Sequence, residues 1–102
     1  LFDDIIDTGG TIAAASRALI ERGAKSVSVA ATHGIFSDES VEKLKDTPIE
    51  EIVVTDTLKQ NGNIEKIGNV NILSVSSIIA TALTSIFADD SVSAIFMGEN
   101  VL

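Results

Sequence analysis

Cysteine, tryptophan and tyrosine are absent from the 102 residues, and proline, methionine and histidine occur once each. Without thiols there are no disulfides and no thiolate metal sites, though the compartment stays open; a cytoplasmic enzyme fits. Aromatic residues make up only 4%, all of them Phe, so a core must be built from Ile, Val, Leu and Ala. Basic side chains are also scarce: 7 Lys and Arg against 15 Asp and Glu, a net charge of −8. That balance excludes the clustered positive surface that nucleic acids require and disfavours anionic membranes. No apolar run approaches the roughly 20 residues of a membrane-spanning helix, and no basic-then-apolar leader opens the chain. Only Leu1 and Phe2 precede the first acidic motif, without an initiator Met. A phosphate-type loop ordinarily follows a longer strand, so the chain is expected to be the C-terminal portion of a longer one, a single domain portion over residues 1–102.

What is present is an aliphatic composition, 45% hydrophobic, in alternating pattern. Thr11 to Arg22 predicts a helix with Ile12, Ala15, Leu19 and Ile20 on its apolar face and Gly23 as its stop. Ser26 to Ala31 predicts a buried strand ending in Thr32-His33-Gly34. Ser37 or Asp38 is expected to cap a helix over Glu39 to Lys45, with Glu39 and Lys43 at i,i+4 spacing. Glu51 to Thr55 and Val70 to Val75 predict two further strands, separated by a Gly- and Asn-rich loop over 58–69. A helix over Ile78 to Phe87, capped by Ser76 or Ser77, has Ile79, Leu83, Ile86 and Phe87 on one face. Strands alternating with helices predict an α/β fold: a parallel sheet in three layers, with helices on both faces. Ligands of such sheets bind beyond the carboxyl ends of the strands. Asp3-Asp4, Thr32-His33 and Thr55-Asp56 are all predicted there.

The stretch DDIIDTGGT combines opposites. Unpaired amides of Thr8, Gly9, Gly10 and Thr11 at a helix start, with the Thr8 and Thr11 hydroxyls, suit a phosphate. Asp3, Asp4 and Asp7 repel one, by roughly 3 kcal/mol for a charge about 6 Å away at an effective dielectric near 20. The conflict dissolves if the acids face hydroxyls, since an ionised carboxylate only accepts hydrogen bonds. A ribose 5-phosphate moiety satisfies both ends, and a hydrated Mg²⁺ on the carboxylates would relieve the remaining repulsion.

This motif resembles the ribose-phosphate-binding signature of the type I phosphoribosyltransferase family. Together with ERGAKSV, AATHGIFS, IEEIVVTDT, ILSVSSIIATAL and SVSAIF, it resembles the ribose-phosphate pyrophosphokinases (phosphoribosyl pyrophosphate synthetases) within that family. The resemblance implies a Mg²⁺-dependent transferase that makes phosphoribosyl pyrophosphate and AMP from ATP and ribose 5-phosphate, in nucleotide biosynthesis. It implies that Asp3 and Asp4 accept from the ribose 2- and 3-hydroxyls and touch a second Mg²⁺, that Asp7 lies beside C1, and that Thr8, Gly9, Gly10 and Thr11 hold the 5-phosphate. It also implies that Ser91, Val92 and Ser93, with Phe96, line a regulatory phosphate or ADP site between subunits of a dimer or hexamer. Ala94 stands where relatives often carry a third Ser, and SDES departs from the family's SGPA-like run. ATP, the principal Mg²⁺ ligands and the catalytic loop belong to parts of the family that this chain lacks. No catalytic residue is therefore expected here, and no pyrophosphate transfer by this portion alone.

Two other functions stay open: a different phosphoribosyltransferase, which consumes phosphoribosyl pyrophosphate, and a non-catalytic regulatory paralogue. His33 is read as structural or as a ligand contact, Asp56 as a solvated loop residue or part of the crevice. Glu39, Glu42, Lys43 and Lys45 are expected to form a solvated helix face. Ser91 and Ser93 are read equally as an edge strand with outward hydroxyls.

Overall fold

The structure, a computed structural model, describes residues 1–88. Its elements run β1 (Phe2–Ile6), α1 (Gly10–Glu21), β2 (Val27–Gly34), α2 (Asp38–Lys45), β3 (Ile49–Thr55), α3 (Asn63–Ile67), β4 (Val70–Leu73) and α4 (Ser76–Phe87). The strands form one parallel sheet in the order β1-β2-β3-β4. The α/β fold with a parallel sheet flanked by helices is therefore as expected. Each connection steps one strand in the same direction, and right-handed crossovers then deliver successive helices to a common face. The core agrees. Ile12 and Ala13 of α1, Leu44 of α2 and Ile67 of α3 share one cluster with Val27, Val29, Ala31, Ile49, Ile52 and Val54. Alternate β2 residues Val27, Val29 and Ala31 are buried, whereas Ser28 and Thr32 are exposed, the period of a strand with one covered face. Fully burying an aliphatic side chain of this kind contributes about 1.5–3 kcal/mol.

Several local expectations change. The face of α1 is buried through Ile12, Ala13 and Ser16, with Ile20 partly buried, while Leu19 is exposed. Ser16 is admitted because its hydroxyl donates to the Ala13 carbonyl at 2.8 Å, so its own polar group is paired. The 58–69 segment, expected as a loop, contains the short helix α3. Its Gly62 and Gly68 flank the helix as N-cap and C-cap in the left-handed region, φ 90° and 99°. β2 continues through Gly34, so Thr32 and His33 lie within it rather than beyond it. Ser37 is the N-cap residue of α2, but its side chain makes no capping bond. Val75 takes that place for α4, where the Ser74 hydroxyl accepts from the Ser76 amide at 3.1 Å.

The apolar stripe of α4 is present but uncovered: Ile79, Leu83, Ile86 and Phe87 are exposed, and the helix buries no residue. On the sheet, Phe2, Ala30, Thr32, Val53, Thr55 and Leu73 help line a cavity of about 230 Å³. No helix among the described residues is long and apolar enough to cross a membrane. Ser91, Val92, Ser93, Ala94 and Phe96 lie outside the described residues.

Candidate functional site

β1 and α1 meet at the turn Asp7-Thr8-Gly9. Gly9 is the N-cap of α1, with φ 81° and ψ 3°. That conformation favours glycine, and so does the space. A Cβ here would lie 2.7–2.9 Å from Cγ and both Cδ atoms of buried Leu44. Residue 9 can therefore lie against Leu44 of α2 at this point only because it carries no side chain. The Gly9 carbonyl accepts the first helical bond, from the Ala13 amide at 2.9 Å.

Among the described residues, no protein acceptor occupies the amides of Thr8, Gly9, Gly10 or Thr11. They border a cavity of about 130 Å³ lined by Asp3, Ile5, Ile6, Asp7, Thr8, Gly9, Gly10, Thr11 and Ile12. Free amides at the positive end of a twelve-residue helix form an electropositive cradle without a lysine in the turn itself. Two of the three predicted acids, Asp3 and Asp7, border the same cavity; Asp4 does not.

Asp3 and Asp4 lie inside β1 rather than past its carboxyl end. Each uses one carboxylate oxygen locally: Asp3 Oδ1 accepts from the Asp4 amide at 2.8 Å, and Asp4 Oδ1 from the Ile5 amide at 2.9 Å. The neighbouring Asp3 carboxyl and the Asp4 and Ile5 amides hold the Asp4 carboxyl below the usual carboxylate range, with a smaller contribution from His33. Ionised, it can only accept hydrogen bonds. The remaining oxygens of the pair suit hydroxyl donors. They also suit a hard cation, which is commonly held by one or two carboxylates, water and a ligand's phosphates. No cluster of three or more His, Asp or Glu of metal-binding geometry occurs among the described residues.

The turn is held in place from the 35–37 segment that follows β2. The Ile6 carbonyl accepts from the amides of Ile35 and Phe36, at 2.8 and 3.2 Å, and the Asp7 carbonyl from the Ser37 amide at 3.2 Å. Phe36 is fully buried in a left-handed conformation, φ 49°. Asn61 and Asn63 clamp its carbonyl, at 3.2 and 2.8 Å, and Asn63 also donates to Asp38 Oδ1 at 3.1 Å. A strained residue persists where its surroundings over-determine it. Here the determinants come from the 58–69 segment, for which the sequence predicts nothing beyond a loop.

His33 and Asp56 are drawn into the scaffold. His33 Nδ1 shares a 2.7 Å hydrogen bond with Thr57 Oγ1, and the residue bridges Asp56 in antiparallel fashion. Asp56 Oδ1 accepts from the Val75 amide at 2.9 Å. That bond, with one from Ser74, holds its carboxyl below the usual range. Asp56 thereby ties β3 to the start of α4.

Sequence reasoning misses Lys43. It is expected on a solvated face, and it does pair with Glu39 at 3.4 Å. Yet α2 delivers its Nζ to 3.5 Å from the position a Cβ would take on Gly10. The only sequence signal is the i,i+4 pair, which says nothing about what lies across from it.

The sequence matches the family described as phosphoribosyl synthetase-associated domain over residues 1–97. It is 47% identical to a ribose-phosphate pyrophosphokinase of Buchnera aphidicola over 96 residues, 94% of this chain and 30% of that protein. A ribose-phosphate pyrophosphokinase of Corynebacterium glutamicum is 46% identical over 99 residues, 97% of this chain and 30% of that one. The crystal structure of phosphoribosylpyrophosphate synthetase from Mycobacterium smegmatis is similar with a TM-score of 0.78 and 40% identity, covering 87% of this chain and 30% of the other. The chain thus spans about 30% of the length of these relatives.

Proposed function

Because this chain belongs to the phosphoribosyl synthetase-associated domain family, we propose that it supplies the ribose 5-phosphate site of a ribose-phosphate pyrophosphokinase. The carrying observation is the cradle of unoccupied amides from Thr8 to Thr11 sharing one cavity with Asp3 and Asp7. The amides and the Thr8 and Thr11 hydroxyls take the 5-phosphate. Asp3 and Asp4 accept from the ribose hydroxyls, and Asp7 lies nearest C1. In the whole protein the C1 hydroxyl attacks the β-phosphorus of ATP. The new O–P bond forms as the bond to the α–β bridging oxygen breaks, the hydroxyl proton passes to solvent, and AMP leaves. This portion contributes position and orientation, the larger part of catalysis when phosphoryl chemistry needs little covalent help. Bound Mg²⁺ supplies charge neutralisation of the phosphates, and Asp3 and Asp4 are the residues here suited to hold it. ATP is gripped by parts outside this chain, and the whole protein is an oligomer, a dimer or hexamer, working in the cytoplasm. Ser91, Val92 and Ser93 serve a phosphate or ADP effector site.

Calorimetric titration of ribose 5-phosphate with Mg²⁺ into the full chain tests this reading. Saturable heat, lost in Asp3→Asn and competed by inorganic phosphate, is expected. No detectable heat in the full-length protein, with the fold intact, would leave the non-catalytic regulatory paralogue as the better description. Saturable binding of phosphoribosyl pyrophosphate without turnover of ATP by the whole protein would favour a different phosphoribosyltransferase.

A further inference from the structure

A net charge of −8 sets a long-range problem for any anionic ligand. Amide dipoles act only at close range, and Asp3 and Asp7 border the cavity that the anion must enter. Lys43 of α2 stands beside the turn, just outside the residues that line the cavity. From the position a Cβ would occupy on Gly10, Lys43 Nζ is 3.5 Å away, Lys43 Cδ 3.7 Å and Thr8 Oγ1 4.0 Å. Lysine and threonine therefore flank the same point, and the missing Gly10 side chain leaves the way between them open. The Lys43 side chain is 45% exposed, so its ammonium is free to turn, and Glu39 Oε2 holds it at 3.4 Å.

Resting on the ribose 5-phosphate reading, we propose that Lys43 is a binding residue of the phosphate subsite: its ammonium exchanges the Glu39 carboxylate for the outer oxygens of the bound phosphate. The exchange costs little, because an exposed pair on one helix contributes only weakly to stability. A lysine acts as a mobile point charge, suited to an anion whose inner oxygens are already held by amides. Its contribution falls on the phosphate end alone and leaves the hydroxyl contacts of Asp3 and Asp4 unaltered.

Inorganic phosphate and ribose 5-phosphate are the probes, titrated into the full chain at two salt concentrations. K43Q is expected to weaken both by about fivefold, the upper range for an exposed ion contact, and to flatten the salt dependence. K43R restores binding to within about twofold by keeping the charge. E39Q strengthens both by about twofold, since it removes a competing carboxylate. Unaltered phosphate binding in K43Q overturns the proposal, as does a loss confined to ribose 5-phosphate, which would place Lys43 on the sugar. A wild-type chain that binds neither probe overturns both this role and the functional reading. A wild-type chain that binds both, with K43Q identical to it, overturns only the role of Lys43.

Discussion

Replacing Gly9 by Ala probes the contact that joins fold and site. Two costs arise. A non-glycine residue at φ 81° pays roughly 1–2 kcal/mol for the left-handed region. The added methyl also lies 2.7–2.9 Å from Leu44, which is 2% exposed, so this buried side chain must shift within the core. Overpacking of this kind costs about 1–3 kcal/mol. Together these give about 2–5 kcal/mol, a large share of the 5–15 kcal/mol typical of a domain. Urea denaturation of wild type, Gly9→Ala, Leu44→Ala and the double variant separates the terms. Leu44→Ala alone should cost about 2–5 kcal/mol. If the clash is as described, the methyl added at position 9 partly fills the space Leu44 vacates. The double variant should then be about 1–3 kcal/mol more stable than the sum of the singles predicts. Additivity within about 0.5 kcal/mol would refute the steric argument and leave only the backbone term. A Gly9→Ala midpoint equal to wild type would refute both.

Gly10 should respond in the opposite sense. Its added Cβ meets Lys43 Nζ and Cδ at ordinary contact distances, 3.5 and 3.7 Å. Gly10→Ala is therefore expected to stabilise by up to about 1 kcal/mol in urea denaturation, while a phosphate titration shows weaker binding because the methyl stands between Lys43 and Thr8. Asn63→Ala removes two hydrogen bonds from a buried amide, to the Phe36 carbonyl and Asp38. A loss of about 1–3 kcal/mol in chemical denaturation is expected, with weaker ribose 5-phosphate binding because the 35–37 segment no longer anchors the turn. Asp56 has a folded-state pKa below its unfolded value, chiefly from the Val75 amide. Its stabilisation is complete above the ordinary carboxylate range, near 4, and vanishes as pH falls through the folded value. Thermal melts across that acid window should show a flatter pH dependence for Asp56→Asn than for wild type; identical profiles would exclude this role.

The strands, the helices other than α3, the parallel sheet and the TGGT helix start were legible because each rests on local pattern. Alternation of Val27, Val29 and Ala31, helical spacing and paired glycines all act over a few residues. Asp3 and Asp7 beside the turn were legible for the same reason, since they are chain neighbours of its amides, whereas Asp4 stands outside their cavity. Helix α3 was missed because Gly62 and Gly68 carry the same letters whether they cap a helix or form a loop, and because burial of Asn63 and Ile67 between other elements decides the matter. Spacing alone draws the α1 face through Leu19 rather than Ser16, because the bond from the Ser16 hydroxyl to the Ala13 carbonyl exists only in the folded helix.

By itself the sequence determined an aliphatic parallel α/β chain with a Gly-Gly helix start next to carboxylates, since propensity, periodicity and the chemistry of adjacent residues are written along the backbone. Only the tertiary structure decided that Leu44 excludes a side chain at Gly9, that Asn61 and Asn63 lock Phe36 behind the turn, and that Lys43 reaches Gly10. Each of these joins residues more than twenty positions apart, and such pairs become neighbours only when the sheet forms and the helices settle on its face.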